Sequence, residues 1–125
     1  MNNLVFGEVF FSAGWNTKMD ITLFGNSYNV VVRAMAYYEK DGITAEQEKE
    51  FGDFSRCKND RIKTVEKLLN SFADGKASKR FSPRTLLFQR NGGFALLLDD
   101  SEDEDGGVAV CLSPEEKVLL QDEYL

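Results

Sequence analysis

The sequence contains no histidine, and only two of its 125 residues are cysteine. Without histidine, the usual general base near neutral pH and the usual transition-metal ligand are both missing, so Ser-His-Asp and Cys-His catalysis and histidine-ligated zinc are excluded. Two cysteines cannot fill a four-cysteine site or staple a chain of this size, and Cys57 and Cys111 read as free thiols, one of them buried. No glycine-rich phosphate loop occurs, which leaves nucleotide binding without support. No run approaches the roughly 18 apolar residues of a membrane-spanning helix. The opening Met1-Asn2-Asn3-Leu4-Val5-Phe6-Gly7-Glu8 also lacks the basic and apolar zones of a signal peptide. These absences predict a cytoplasmic protein with no cofactor and no membrane partner.

What remains is ordinary globular material: 42% apolar, 12% aromatic and 29% charged residues. That is enough for one packed core, in a single domain spanning residues 1–125. Met19, Ile21 and Leu23 alternate with polar neighbours, as do Tyr28, Val30, Val32 and Ala34, and Gly25-Asn26 between them predicts a hairpin. Leu4 to Phe11 reads as a further strand, set off from Trp15 by Ser12-Ala13-Gly14, and Trp15 reads as a core anchor at a sheet edge. Thr44-Ala45-Glu46-Gln47 fits a capping box and opens a helix with Phe51 and Phe54 on its apolar stripe, weakened by Gly52. Ile62, Val65, Leu68, Leu69 and Phe72 recur at helical spacing, and Gly75 marks an end. Strands return at Thr85 to Arg90, Phe94 to Leu98 and Val108 to Leu112, with Val118 to Leu120 a short fourth. The first two flank Asn91-Gly92-Gly93, a hairpin signal.

Strands, then helices, then strands predict an α+β fold. It comprises an antiparallel sheet, made of an N-terminal three-stranded meander and C-terminal hairpin strands, with two central helices packed on it. The pattern argues against a βαβ parallel arrangement.

Charge is unevenly spread. Residues 76–90 hold Lys76, Lys79, Arg80, Arg84 and Arg90 with no acid, whereas residues 99–125 hold ten acids against Lys117 alone. The run Asp99-Asp100-Ser101-Glu102-Asp103-Glu104-Asp105-Gly106 partly mimics the opening of a calcium loop, but its first position is Ser101 and the terminal bidentate glutamate is replaced by Leu112. A solvated connection between strands, blunting an edge with charge, and an acidic patch for a basic partner are the other readings. The basic stretch interleaves Phe81 and Phe88, a pattern found in single-strand nucleic-acid binders. The net charge of −6 runs against a nucleic-acid partner and favours a segment that balances the acidic end. Glu46 and Glu50 lie one helical turn apart and read as a solvent face. Ser55-Arg56-Cys57-Lys58 matches the Ser-x-x-Lys pattern of penicillin-interacting enzymes, but the companion motifs are absent and the chain is too short for that fold.

Phe6-Gly7-Glu8, Gly14-Trp15, Leu23-Phe24-Gly25 with Tyr28, and the ending Leu120-Gln121-Asp122-Glu123-Tyr124-Leu125 together resemble a family of small bacterial domains of unknown function. The resemblance carries no catalytic assignment. In size, acidity and lack of active-site residues such domains are similar to the immunity proteins that bacteria keep beside secreted toxins. The expected function is therefore non-enzymatic binding of a protein, most concretely a basic toxin domain. Asp99, Asp100, Glu102, Asp103, Glu104, Asp105, Asp122 and Glu123 would steer the partner, and Phe81 and Tyr124 would anchor it. A small enzyme with a carboxylate site and a calcium-dependent module are the alternatives.

Overall fold

A computed structural model describes residues 1–125. In chain order the strands and helices are β1 (Asn2–Asn3), β2 (Gly7–Glu8), β3 (Phe10–Phe11), β4 (Trp15–Leu23), β5 (Asn26–Ala34), a 3₁₀ turn (Glu39–Asp41), α1 (Ala45–Arg56), α2 (Lys58–Phe72), β6 (Phe81–Phe88), β7 (Phe94–Asp100), β8 (Asp103–Ser113), β9 (Lys117–Leu120) and α3 (Gln121–Tyr124). Strands β3 to β9 form one seven-stranded sheet in sequence order, and β1 and β2 form a separate two-stranded one.

The expected α+β class holds, with one correction to its topology. All neighbours in the large sheet are antiparallel except β5 and β6, which run parallel, Val31 opposite Thr85 through Ala34 opposite Phe88. The reason lies in the connection. A chain that leaves β5, passes through two helices and returns beside it re-enters at the same end, as any crossover connection does.

The β4–β5 hairpin follows the alternation read from the sequence, with Ile21, Leu23, Val30, Val32 and Ala34 buried. Its turn sits one residue earlier than Gly25-Asn26: Phe24 (φ 49°) and Gly25 (φ 80°) are the two central residues, both left-handed, as the twist of a two-residue hairpin requires. Phenylalanine is costly there, and two contacts offset the cost. Its N–H donates to Glu66 Oε2 at 2.6 Å, and its ring packs on the core. The predicted strand from Leu4 to Phe11 is broken, because Asn3 Oδ1 accepts from the N–H groups of Val5 (2.8 Å) and Phe6 (2.9 Å) and folds the chain back on itself. The N-terminal meander is thus reduced to the two residues of β3 beside the long hairpin.

The capping box forms as read. Thr44 Oγ1 accepts from Gln47 N at 3.1 Å, and Gln47 Oε1 accepts from Thr44 N at 2.9 Å. Phe51 and Phe54 of α1 and Ile62, Val65 and Leu69 of α2 pack down on one face of the sheet. The aromatic centre is Phe6 stacked on Phe51 (centroids 4.6 Å apart) and Phe88 stacked on Phe94 (4.6 Å), with Phe54 edge-on to Phe94. On the opposite face one register row runs Asn16, Arg33, Leu87, Ala95, Cys111, Lys117 across six strands. There Ala95, Ala109 and Cys111 form a small second cluster, roofed by Leu97, Leu119 and Tyr124.

Gly52 lies inside α1 where an added Cβ would make only ordinary contacts, 3.6 Å from Arg56 Nη1 and 3.7 Å from Val5 Cγ1. Gly52→Ala should therefore raise the unfolding free energy by about 0.5–1 kcal/mol, the helix-interior cost of glycine. Urea denaturation reads this directly, and a decrease would show that Val5 cannot tolerate the methyl group.

Candidate binding surface

The acidic run does not form a loop. It is a hairpin in which Asp99 and Asp100 end β7, Ser101 and Glu102 make the turn, and Asp103 to Asp105 begin β8. Successive strand residues point to opposite faces, so the acids do not converge. No group of three or more Cys, Asp or Glu side chains is placed to share a metal ion, and Gly106 lies within β8 rather than in a coordination loop.

Asp100 was expected to steer a partner and instead belongs to the interior. It is 8% exposed, and Arg80 grips both carboxylate oxygens, Nε to Oδ1 at 2.8 Å and Nη2 to Oδ2 at 2.9 Å. Glu102 N donates to Asp100 Oδ1 at 2.9 Å, and Ser101 N donates to Arg80 O at 2.9 Å, so one ion pair pins the whole turn. The Arg80 guanidinium lies over the rings of Phe81 (5.0 Å) and Phe72 (5.8 Å). The hydrogen bonds from Arg80 pull the Asp100 carboxyl below the usual range, against the opposing effect of its burial. Phe81 is likewise no anchor for a partner: at 2% exposure it is a core residue, because β6 begins four residues before the predicted Thr85 and its first side chain faces inward.

The remaining predicted residues divide by whether a cation of the same chain already holds them. Asp99 is exposed but pairs with Arg84 at 2.5 Å, and Glu102 lies 3.5 Å from Arg80. Asp103, Glu104, Asp105 and Asp122 are exposed and form no ion pair. Glu123 is exposed, and its Oε1 accepts from Leu120 N at 3.0 Å. Tyr124 is half-buried on the Ala95–Ala109–Cys111 cluster, a roof rather than a free anchor.

Gln121 brings the two acidic segments together, a residue that sequence reasoning passed over. Its Nε2 donates to Leu98 O at 2.8 Å and to Val108 O at 3.4 Å, lashing α3 across β7 and β8 just below the acidic turn. Gly107 makes room for it, since a Cβ there would lie 2.5 Å from Gln121 Nε2. The glycine pair Gly106-Gly107 beside an acidic run was the available signal.

The basic stretch serves the fold. Arg80 and Arg84 hold the hairpin acids, and Arg90 donates to the carbonyls of Gly42 (2.6 Å), Met35 (3.1 Å) and Asp41 (3.1 Å). A cavity of about 200 Å³ beside α3 gathers Cys111, Ser113, Lys117, Glu123 and Tyr124. Burial pushes up both the Cys111 thiol, against a smaller opposing pull from Lys117, and the Tyr124 phenol, so both stay protonated and neither is an activated nucleophile. Asp53, the other carboxylate with shifted acidity, is pulled down by its hydrogen bond from Lys49 on an exposed helix face.

No family model, curated protein or solved structure matches this chain.

Proposed function

We propose that the chain is a binding protein without enzymatic activity, which captures a basic protein partner on the free carboxylates of the β7–β8 hairpin and the adjoining C-terminal turn. The observation that carries this reading is the division of the acids. The chain spends Arg80 and Arg84 on Asp99, Asp100 and Glu102, and leaves Asp103, Glu104, Asp105 and Asp122 exposed with no cation. The paired acids hold the hairpin rigid, and the unpaired ones project a negative field from it. Such a field speeds encounter and orients a basic partner, which suits an inhibitor that must reach its target early. In its most concrete form the partner is a toxin domain and the chain its immunity protein, in keeping with the motif resemblance and the net charge of −6.

Replacing Asp103, Glu104 and Asp105 together with serine should slow association with the basic partner by roughly tenfold at low salt and flatten its salt dependence, because rim charges act mainly on encounter. Thermal stability should change by less than about 0.5 kcal/mol, since these side chains are exposed and form no ion pairs. The product of the neighbouring gene is the candidate partner to test, with stopped-flow association measured at several ionic strengths. If the unaltered chain neither binds that product nor relieves its toxicity, the immunity reading fails. Binding with rates indifferent to the triple substitution would move the interface elsewhere.

A further inference from the structure

We infer that the N-terminal arm, Met1 to Phe11, is a displaceable plug, and that the groove it fills accepts the same arm from a second copy of this chain. Three independent observations support this.

First, the arm is held to the body mainly by side chains. Phe6 is its anchor, stacked on Phe51 at 4.6 Å and edge-on to Phe88 at 5.9 Å, and Val9 is buried with it. Its backbone hydrogen bonds are largely its own: Met1 pairs with Val9 in both directions, β1 pairs with β2, and only Phe10 and Phe11 pair with the large sheet. The arm can therefore leave with its β1–β2 pairing intact, giving up only the two residues of β3.

Second, the hinge is strained. Ser12-Ala13-Gly14 turns the chain from β3 into β4 with Ala13 at φ 55°, a left-handed conformation that alanine resists. Gly14 sits at φ 128°, where a Cβ would lie 2.9 Å from Ala34 O. Asn16 latches this turn shut, its Nδ2 donating to Ser12 O (2.8 Å) and Gly14 O (3.0 Å) while Arg33 Nε donates to its Oδ1 (2.6 Å).

Third, the seam between arm and body is imperfectly filled. A cavity of about 750 Å³ opens along it, with Glu8 to Phe11 on the arm side and Trp15, Glu39 and Lys40 on the body side. Trp15, which lines it, is 5% exposed, and its buried indole N–H has no acceptor. A short strained hinge joining a self-contained segment to a groove made for it is the arrangement from which arms are exchanged. A second copy supplies every contact of the closed form in a two-fold dimer and releases the left-handed turn in both chains.

The test is the oligomeric state of hinge variants refolded at high micromolar concentration, followed by light scattering on a sizing column. Ala13→Pro fixes φ near −65° and bars the closed turn, and should tighten the dimer at least about tenfold. Ala13→Gly removes the strain and should weaken it about fivefold per hinge. Adding Phe6→Leu to the proline variant should loosen the dimer again, because the exchanged anchor is poorer. If the proline variant does not fold, deletion of Ala13, which leaves the loop too short to close, gives the same reading. A monomer in both hinge variants overturns the proposal, and so does a dimer indifferent to Ala13 and Phe6, which would be ordinary surface association.

Discussion

Gln47→Ala should lower the unfolding free energy by about 2–4 kcal/mol, more than any surface substitution in this chain, as measured by urea titration. Gln47 has no exposed surface, and its amide works at both ends. Nε2 donates to Met35 O (3.0 Å) and Phe88 O (3.1 Å), the carbonyls at the ends of β5 and β6, while Oε1 accepts from Thr44 N. One side chain thus caps α1 and closes the parallel seam that α1 and α2 bridge. Truncation leaves the Thr44 N–H without a partner, at about 1–3 kcal/mol, takes one of two donors from each carbonyl, since Met35 O keeps Arg90 Nη1 and Phe88 O keeps the Met35 N–H, and opens a cavity where the side chain was. Gln47→Glu should fare no better, because it keeps the cap acceptor but loses both donors and places a charge beside two carbonyls. A loss below about 1 kcal/mol would mean that water enters and substitutes for the amide.

Asp100→Ala should cost about 2–4 kcal/mol at neutral pH, since it takes both close hydrogen bonds from a half-buried guanidinium, leaving it only Glu102 at 3.5 Å, and frees the turn that the pair pins. Its pH dependence has a defined sign. The folded-state pKa of Asp100 lies below its unfolded value, so the stability it contributes is fully present above the unfolded value, near pH 4. That contribution is lost as pH falls through the lower, folded pKa. The stability difference between the unaltered chain and Asp100→Ala should therefore be constant from about pH 5 to 8 and shrink below about pH 4. A difference that grew on acidification would show that Asp100 is not the carboxylate holding Arg80. Arg80→Lys should recover only part of the loss, since lysine cannot grip both oxygens or lie flat on Phe81.

The parts of the fold that were legible in the sequence are those set by local chemistry. The alternation in β4 and β5, the Thr44–Gln47 box, the stripe Ile62-Val65-Leu69 and the turn at Asn91-Gly92-Gly93 each depend on neighbours within a few residues. What escaped depends on contacts distant in sequence. Nothing near Asn3 signals that its side chain will reverse the chain instead of letting Leu4 to Phe11 run on as a strand. The parallel pairing of β5 with β6 is a property of the connection and not of either strand. The candidate site shows the same division. The excess of acid in residues 99–125 is visible by counting, but which acids remain free depends on where Arg80 and Arg84 arrive, from 20 and 15 residues upstream of their partners. Phe81 looked like an exposed aromatic amid bases because its strand begins earlier than its β-branched and apolar neighbours announce.

The lone parallel seam also divides the assembly of the chain into two kinetic classes. Strands β4 and β5 zip across a two-residue turn, and β6 through β9 zip across turns of five, two and three residues, all contacts that form without bringing distant segments together. Only the β5–β6 pairing spans the 46 residues from Met35 to Arg80, and the length-dependent entropy of closing such a loop is about 3 kcal/mol. The search cost of this topology is thus concentrated in one encounter between two preformed blocks, and α1 and α2, by shortening the span between them, act as its catalysts.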